Sequence, residues 1–137
     1  MSTLLKRCWI FALLSTSLSI EAKLEANEAQ VLQVVDGDSI SVKIDKSSYR
    51  IRLAEIDAPE ILQPWGKESK AALVEKLQNK RVAIEVIDVD RYGRLVAKVF
   101  LNGRQINREM VAEGQAWVYL DYLRDESLLE PEAAARK

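Results

Sequence analysis

The sequence predicts a mainly β fold with helices: a five-stranded barrel plus two to three α-helices. Three observations predict it. Short runs alternate apolar with polar residues. Tight polar turns separate those runs. A stretch of helical spacing falls between the third run and the fourth.

The first strand begins at Gln30, with Val31, Leu32, Val34 and Val35, and Asp36-Gly37 marks its turn. In the second, Ile40, Val42 and Ile44 alternate with Ser39, Ser41 and Lys43, the pattern of a strand with one buried face. Asp45 to Ser48 is polar turn material. Tyr49, Ile51 and Leu53 alternate with Arg50 and Arg52 in the third. Asp57-Ala58-Pro59-Glu60 stops that run, because proline cannot donate to a ladder and biases the residue before it toward extended geometry. Lys67 to Gln78 reads as a helix with Ala71, Leu73, Val74 and Leu77 on its apolar face. Val82, Ile84, Val86 and Ile87 make the fourth strand. Leu95, Val96, Val99 and Leu101 make the fifth, after a turn at Asp90 to Arg94. A helix from about Ile106 to Glu113 closes at Gly114, and a last helix starts near Glu126, with a possible break at Pro131. Five strands with a helix between the third and fourth form the OB arrangement. Periodicity supports the element order and does not itself show barrel closure.

Composition narrows the chemistry. The chain has 137 residues, 48% hydrophobic and 30% charged, which suits one small globular domain. Its formal charge of −1 means that any nucleic-acid affinity must come from local clusters. It contains no histidine and one cysteine, Cys8. Ser-His-Asp and Cys-His catalysis in their usual forms are excluded, as is a His/Cys zinc site. Catalysis must use carboxylates, arginine, lysine, tyrosine or a hard cation on oxygen ligands.

Residues 1–26 read as a signal peptide and residues 27–137 as the folded domain. Lys6 and Arg7 precede an uncharged run from Cys8 to Leu18, too short to span a bilayer comfortably. No clean cleavage pattern follows, and an uncleaved anchor is the rival reading. A secreted or periplasmic protein without disulfides is the expectation, with no membrane attachment after cleavage.

Four clusters carry the chemistry: Asp36-Gly37-Asp38-Ser39, Arg52, Asp57-Ala58-Pro59-Glu60, and Asp90-Arg91-Tyr92-Gly93-Arg94. Phosphodiester hydrolysis needs a hard cation on carboxylates, a base for water, and guanidinium groups for the phosphorane-like charge. Asp38, Asp57, Glu60, Arg52 and Arg94 supply these parts. Each cluster alone also has a plain reading, as a hairpin turn, a strand stop or a solvated strand face.

As an ordered set the clusters resemble the signature blocks of the staphylococcal nuclease family. Val35-Asp36-Gly37-Asp38-Ser39, Ile51-Arg52-Leu53, Ile56-Asp57-Ala58-Pro59-Glu60 and Asp90-Arg91-Tyr92-Gly93-Arg94 carry the resemblance, with Asn107 and Ala116-Trp117-Val118-Tyr119 matching later blocks. It covers roughly residues 30–133. It implies an OB fold, calcium dependence, and cleavage of DNA and RNA to 3′-phosphate ends by a monomer with no stable protein partner. Asp38 and Asp57 would ligate calcium through their side chains, and Ala58 through its carbonyl. Glu60 would be the general base or would orient water. Arg52 and Arg94 would hold the phosphate and stabilise its transition state. Arg94 is also the candidate for protonating the leaving oxygen, although arginine rarely releases a proton. Asp36 would support the turn or the metal's surroundings. Tyr119 and Tyr122 would contact substrate; the alternative places Tyr119 and Trp117 in the core.

The sequence departs from the family pattern in a short loop from Ile61 to Trp65 and a short turn between the last two strands. It ends at Lys137 inside the predicted last helix, where the family usually continues to a Trp-containing tail. Two other function classes compete: a catalytically dead OB module that binds nucleic acid or protein, and an OB domain that binds oligosaccharide. Dead copies lose carboxylates or arginines, whereas all five chemical positions are filled here. Oligosaccharide binding leaves Asp38, Asp57, Glu60 and Arg94 without a shared purpose.

Overall fold

The computed structural model of the protein describes residues 27–137. The expected signal peptide therefore lies outside the described residues. No helix among those described is long and apolar enough to cross a membrane.

Strands β1 (Asn27–Asp36), β2 (Ser39–Ile44) and β3 (Ser47–Leu53) form an antiparallel meander. A two-residue strand β4 (Ile56–Asp57) precedes helix α1 (Gly66–Leu77). Then come β5 (Arg81–Val89), β6 (Leu95–Leu101), a short β7 (Arg104–Gln105), helix α2 (Ile106–Ala112), β8 (Trp117–Val118) and helix α3 (Leu129–Ala135). The first half of β1 pairs with β5, and the second half pairs with β2. Irregular register at Val31/Gln33 and Val34/Asp36 bends β1 between these partners. Parallel pairing of Ile51–Leu53 in β3 with Leu95–Ala97 in β6 closes the barrel. Closure removes the open sheet edges that a five-stranded ribbon would leave.

Alternation supplies the core. Val31, Ile40, Val42, Ile51, Leu53, Ile84, Ala97 and Val99 all point inward and are buried. Helix α1 covers one end with Ser69, Leu73 and Leu77. Ala71, expected on that face, is exposed instead, and Ser69 takes the buried place. Ser69 tolerates burial because its hydroxyl donates to the carbonyl of Gln115 at 2.7 Å. Helix α2 adds Ile106, Met110 and Val111, and it stops where Gly114 turns left-handed at φ 71°. Asn107, which in sequence only matched a later block of the family resemblance, is buried. Its Oδ1 accepts from the Val99 amide at 2.9 Å, and its Nδ2 donates to the carbonyls of Ala54 and Ala97 at 3.0 and 3.2 Å. It ties α2 to β6 and to the end of β3, a structural rather than a chemical use.

Two expectations are corrected at the C-terminal end. Pro131 does not break α3; it sits in the helix's first turn, where backbone N–H groups have no intrahelical partner to lose. Residues Glu126–Leu128 form a separate 3₁₀ turn before it, capped by Asp125, whose side chain accepts from the Ser127 amide.

Candidate active site

The turn between β1 and β2 builds the first part of the site. Asp36 Oδ1 accepts from the Asp38 amide at 3.1 Å, so Asp36 supports the turn. Gly37 lies against α1: a Cβ there would fall 1.9 Å from Ser69 Oγ and 2.8 Å from Ala58 Cβ. The turn therefore needs glycine for lack of space. Gly37→Ala should destabilise the protein by about 1–3 kcal/mol, the usual range for overpacking, measured as a lowered midpoint in denaturant.

That close approach brings Asp38 to the Asp57-Ala58 segment. Asp38 is buried; its Oδ2 accepts from the Ala58 amide at 2.8 Å and its Oδ1 from Ser39 Oγ at 3.1 Å. Arg52, on β3, bridges the two carboxylates: Nη1 lies 3.3 Å from Asp38 Oδ2, and Nη2 lies 3.3 Å from Asp57 Oδ1. Burial pushes Asp38 up to about 7; Arg52 opposes the shift, and the neighbouring Asp36 carboxylate adds to it. In the unfolded chain the same group ionises near 3.8, so between about 4 and 7 the folded state holds the extra proton. Metal-free protein should thus lose stability as pH rises through that window and change little above it, a trend that unfolding with chelator present will read.

Arg94 comes from the β5–β6 hairpin. Asp90 Oδ1 accepts from the amides of Tyr92 and Arg94, both at 2.9 Å, and Asp90 Oδ2 meets Arg94 Nε at 2.7 Å. Burial opposes ionisation of Asp90, but the Arg94 and Tyr92 amides and the Arg94 guanidinium outweigh it and hold the carboxyl below its ordinary value. Tyr92 is exposed, with the guanidinium carbons of Arg91 and Arg94 at 5.0 and 5.6 Å from its ring centre.

The two arginines share one cleft. It has a volume of about 660 Å³, and its walls include Arg52, Tyr92, Arg94, Tyr119 and Tyr122. Tyr119 and Tyr122 meet edge to face with ring centres 4.8 Å apart, and both are exposed. The alternative that buried Tyr119 and Trp117 in the core is therefore overturned: they are 37% and 43% exposed. Trp117 lines a separate hollow against Ala135 and Arg136.

Asp38, Asp57 and Ala58 thus gather at Arg52, and Arg94, Tyr119 and Tyr122 line the same cleft as Arg52. Glu60 stands apart. Its amide donates to Gln63 Oε1 at 2.7 Å, its carbonyl accepts from the Gln63 amide at 2.8 Å, and its carboxylate is exposed with no hydrogen bond or ion pair among the described residues. Gly66 presses on the same carbonyl, since a Cβ there would lie 1.9 Å from it.

Similarity decides the family. A model of the staphylococcal nuclease homologue family matches residues 50–137. The chain belongs to the staphylococcal nuclease family. It is 36% identical to Protein ParB of Escherichia coli over 118 residues, covering 78% of this chain and 67% of that protein. It is 37% identical to an uncharacterized endonuclease of Haemophilus influenzae over 113 residues, 82% of this chain and 64% of that one. It is 36% identical to the micrococcal nuclease of Shigella flexneri over 119 residues, 79% and 68% respectively. The chain thus spans about two thirds of the length of these relatives. Membership in this family places the chain among the phosphodiester hydrolases, and the closed barrel agrees with the family's OB fold.

The family resemblance implies a hard cation, and the donor set fits one in part. Asp38 and Asp57 both offer oxygens to the guanidinium of Arg52, and the Ala58 carbonyl accepts no hydrogen bond among the described residues. No group of three or more acidic side chains among those residues is placed to hold a metal ion. Water or phosphate oxygens would have to complete the shell.

Reasoning from sequence missed two residues that line the cleft, Tyr92 and Glu55. Tyr92 passed as hairpin punctuation, although an exposed tyrosine flanked by arginines was a usable signal. Glu55 gave no signal, because it follows an apolar strand end and reads as one more solvated charge.

Proposed function

We propose that the chain is a calcium-dependent nuclease that hydrolyses DNA and RNA to 3′-phosphate ends. The observation that carries the proposal is Arg52, which bridges Asp38 and Asp57 at the edge of a cleft that also holds Arg94 and two exposed tyrosines. Calcium held by Asp38, Asp57 and the Ala58 carbonyl would neutralise charge on the scissile phosphate.

Arg52 and Arg94 grip the phosphate oxygens from two sides and stabilise the charge that grows on them. Glu60 orients the attacking water or takes its proton. Water adds to phosphorus, the bond to the 5′ oxygen breaks, and that oxygen leaves with a proton as a 5′ hydroxyl. Tyr119 and Tyr122 offer ring faces to neighbouring bases, a contact that every base can make. We place the enzyme outside the cytoplasm, exported by residues 1–26 to the periplasm or medium, and we expect it to act as a monomer.

The test is cleavage of single-stranded and duplex DNA by the full chain, with calcium and then with excess chelator. Cutting should need calcium and return when calcium is restored. Cutting that survives the chelator would overturn calcium dependence. Binding without cutting, by a chain whose fold is verified, would favour a non-enzymatic binding module.

A further inference from the structure

We propose that Glu55 is a positioning residue that sets the tyrosine wall of the cleft. This inference rests on the reading of Tyr119 and Tyr122 as substrate contacts. Glu55 lies between the end of β3 and the start of β4, and it is 5% exposed. A carboxylate buried to that degree needs partners. Its partners are the backbone amides of Arg124 and Asp125, which donate to Oε1 at 2.7 and 2.9 Å. The Glu55 carbonyl accepts from the Tyr119 amide at 2.9 Å.

One residue therefore holds both ends of the segment that carries the tyrosines. Between those anchors the chain makes only local turns, the Tyr122 amide to the Tyr119 carbonyl at 3.1 Å and the Leu123 amide to the Leu120 carbonyl at 3.3 Å. Tyr122 is 64% exposed and Leu120 is 67% exposed, so within the segment packing on the core comes from Leu123 and leaves the tyrosine side chains to the clamp. The clamp lies in the cleft wall, which Glu55 and Arg124 help to line.

The backbone adds a second observation. Glu55 has φ 67°, in the left-handed region, which side chains other than those of asparagine and aspartate seldom enter. Glycine would fit that conformation better. A glutamate kept in a glycine's place points to work done by its side chain. The sign of its charge argues against direct phosphate contact, because a buried anion beside an anionic substrate repels it.

The conformation also provides a clean test. Glu55→Gly removes the carboxylate while relaxing the backbone, and Glu55→Gln keeps an oxygen that can accept both amides. KM and kcat are measured on single-stranded DNA with calcium. Hydrogen exchange is measured at the amides of Arg124 and Asp125. E55G should raise KM about tenfold, the order of one lost base stack, with kcat little changed. Exchange at both amides should quicken, and E55Q should stay near the parent in both readouts. E55D, one methylene shorter, should shift the same way as E55G by less.

Two results would overturn the proposal. One is a KM for E55G equal to or below the parent's, as expected if Glu55 were only a repelling charge. The other is unchanged exchange at Arg124 and Asp125 in E55G. The exchange measurement does not depend on cutting, so it still decides the clamp if the nuclease reading itself fails.

Discussion

Arg94→Ala should lower kcat on single-stranded DNA by about a thousandfold, the scale of losing one charged donor to a developing oxyanion. The structure gives the change little else to disturb. Arg94 has one ion-pair partner, Asp90, and its side chain is 22% exposed. The hairpin does not depend on the guanidinium, because Asp90 Oδ1 is already bound by the Tyr92 and Arg94 amides, which an alanine would retain at position 94. Melting should accordingly move by no more than a few degrees. Arg52→Ala would be a poorer probe. It would leave the buried Asp38 without its cation, and stability would fall together with activity. A kcat for Arg94→Ala within tenfold of the parent would remove Arg94 from the chemistry.

Glu60→Gln should cost about 10²- to 10⁴-fold in kcat, the usual weight of a general base, with stability changed by less than about 0.5 kcal/mol. The prediction follows from the way Glu60 is held. Its amide, its carbonyl and the close approach of Gly66 fix the backbone, while the carboxylate is free of ion pairs among the described residues. Glutamine keeps the shape and removes only basicity and charge. A pH–rate profile of kcat separates the two roles open to Glu60. Loss of the acidic limb in the variant indicates a base, and a lowered but parallel profile indicates a group that only orients water.

Strands long enough to show alternation were legible in the sequence. The three-strand meander, the pair formed by β5 and β6, and the helix between them lie where periodicity puts them, because burial on one face leaves a period of two. Strands β4 and β8 were not legible, since two residues cannot show alternation and their pairing joins residues about sixty positions apart. Their pairing is nonetheless what sets Asp57 opposite Trp117. The helix face was misread at Ala71 because hydrophobicity ranks alanine above serine, while Ser69 finds a carbonyl partner that no sequence rule reveals. Asp38, Arg52 and Asp57 were recognisable as a set by their order. Their meeting was not, because it depends on Gly37 letting the β1–β2 turn settle on Ser69 and Ala58. Sequence marked Gly37 as a turn residue; its use is clearance. Glu55 escaped for a related reason. Its partners are backbone amides nearly seventy residues away, and backbone amides carry no side-chain signature.

The parallel seam between β3 and β6 has a consequence for when the enzyme becomes dangerous. Arg52 precedes the seam's last residue on one strand, and Arg94 immediately precedes its first residue on the other. The two guanidinium groups are strangers until these strands zip together. Such contacts between remote segments form slowly, since the loop between them must close first. A chain still emerging from the ribosome, or held extended by a chaperone, has the carboxylates and the arginines but no jaw.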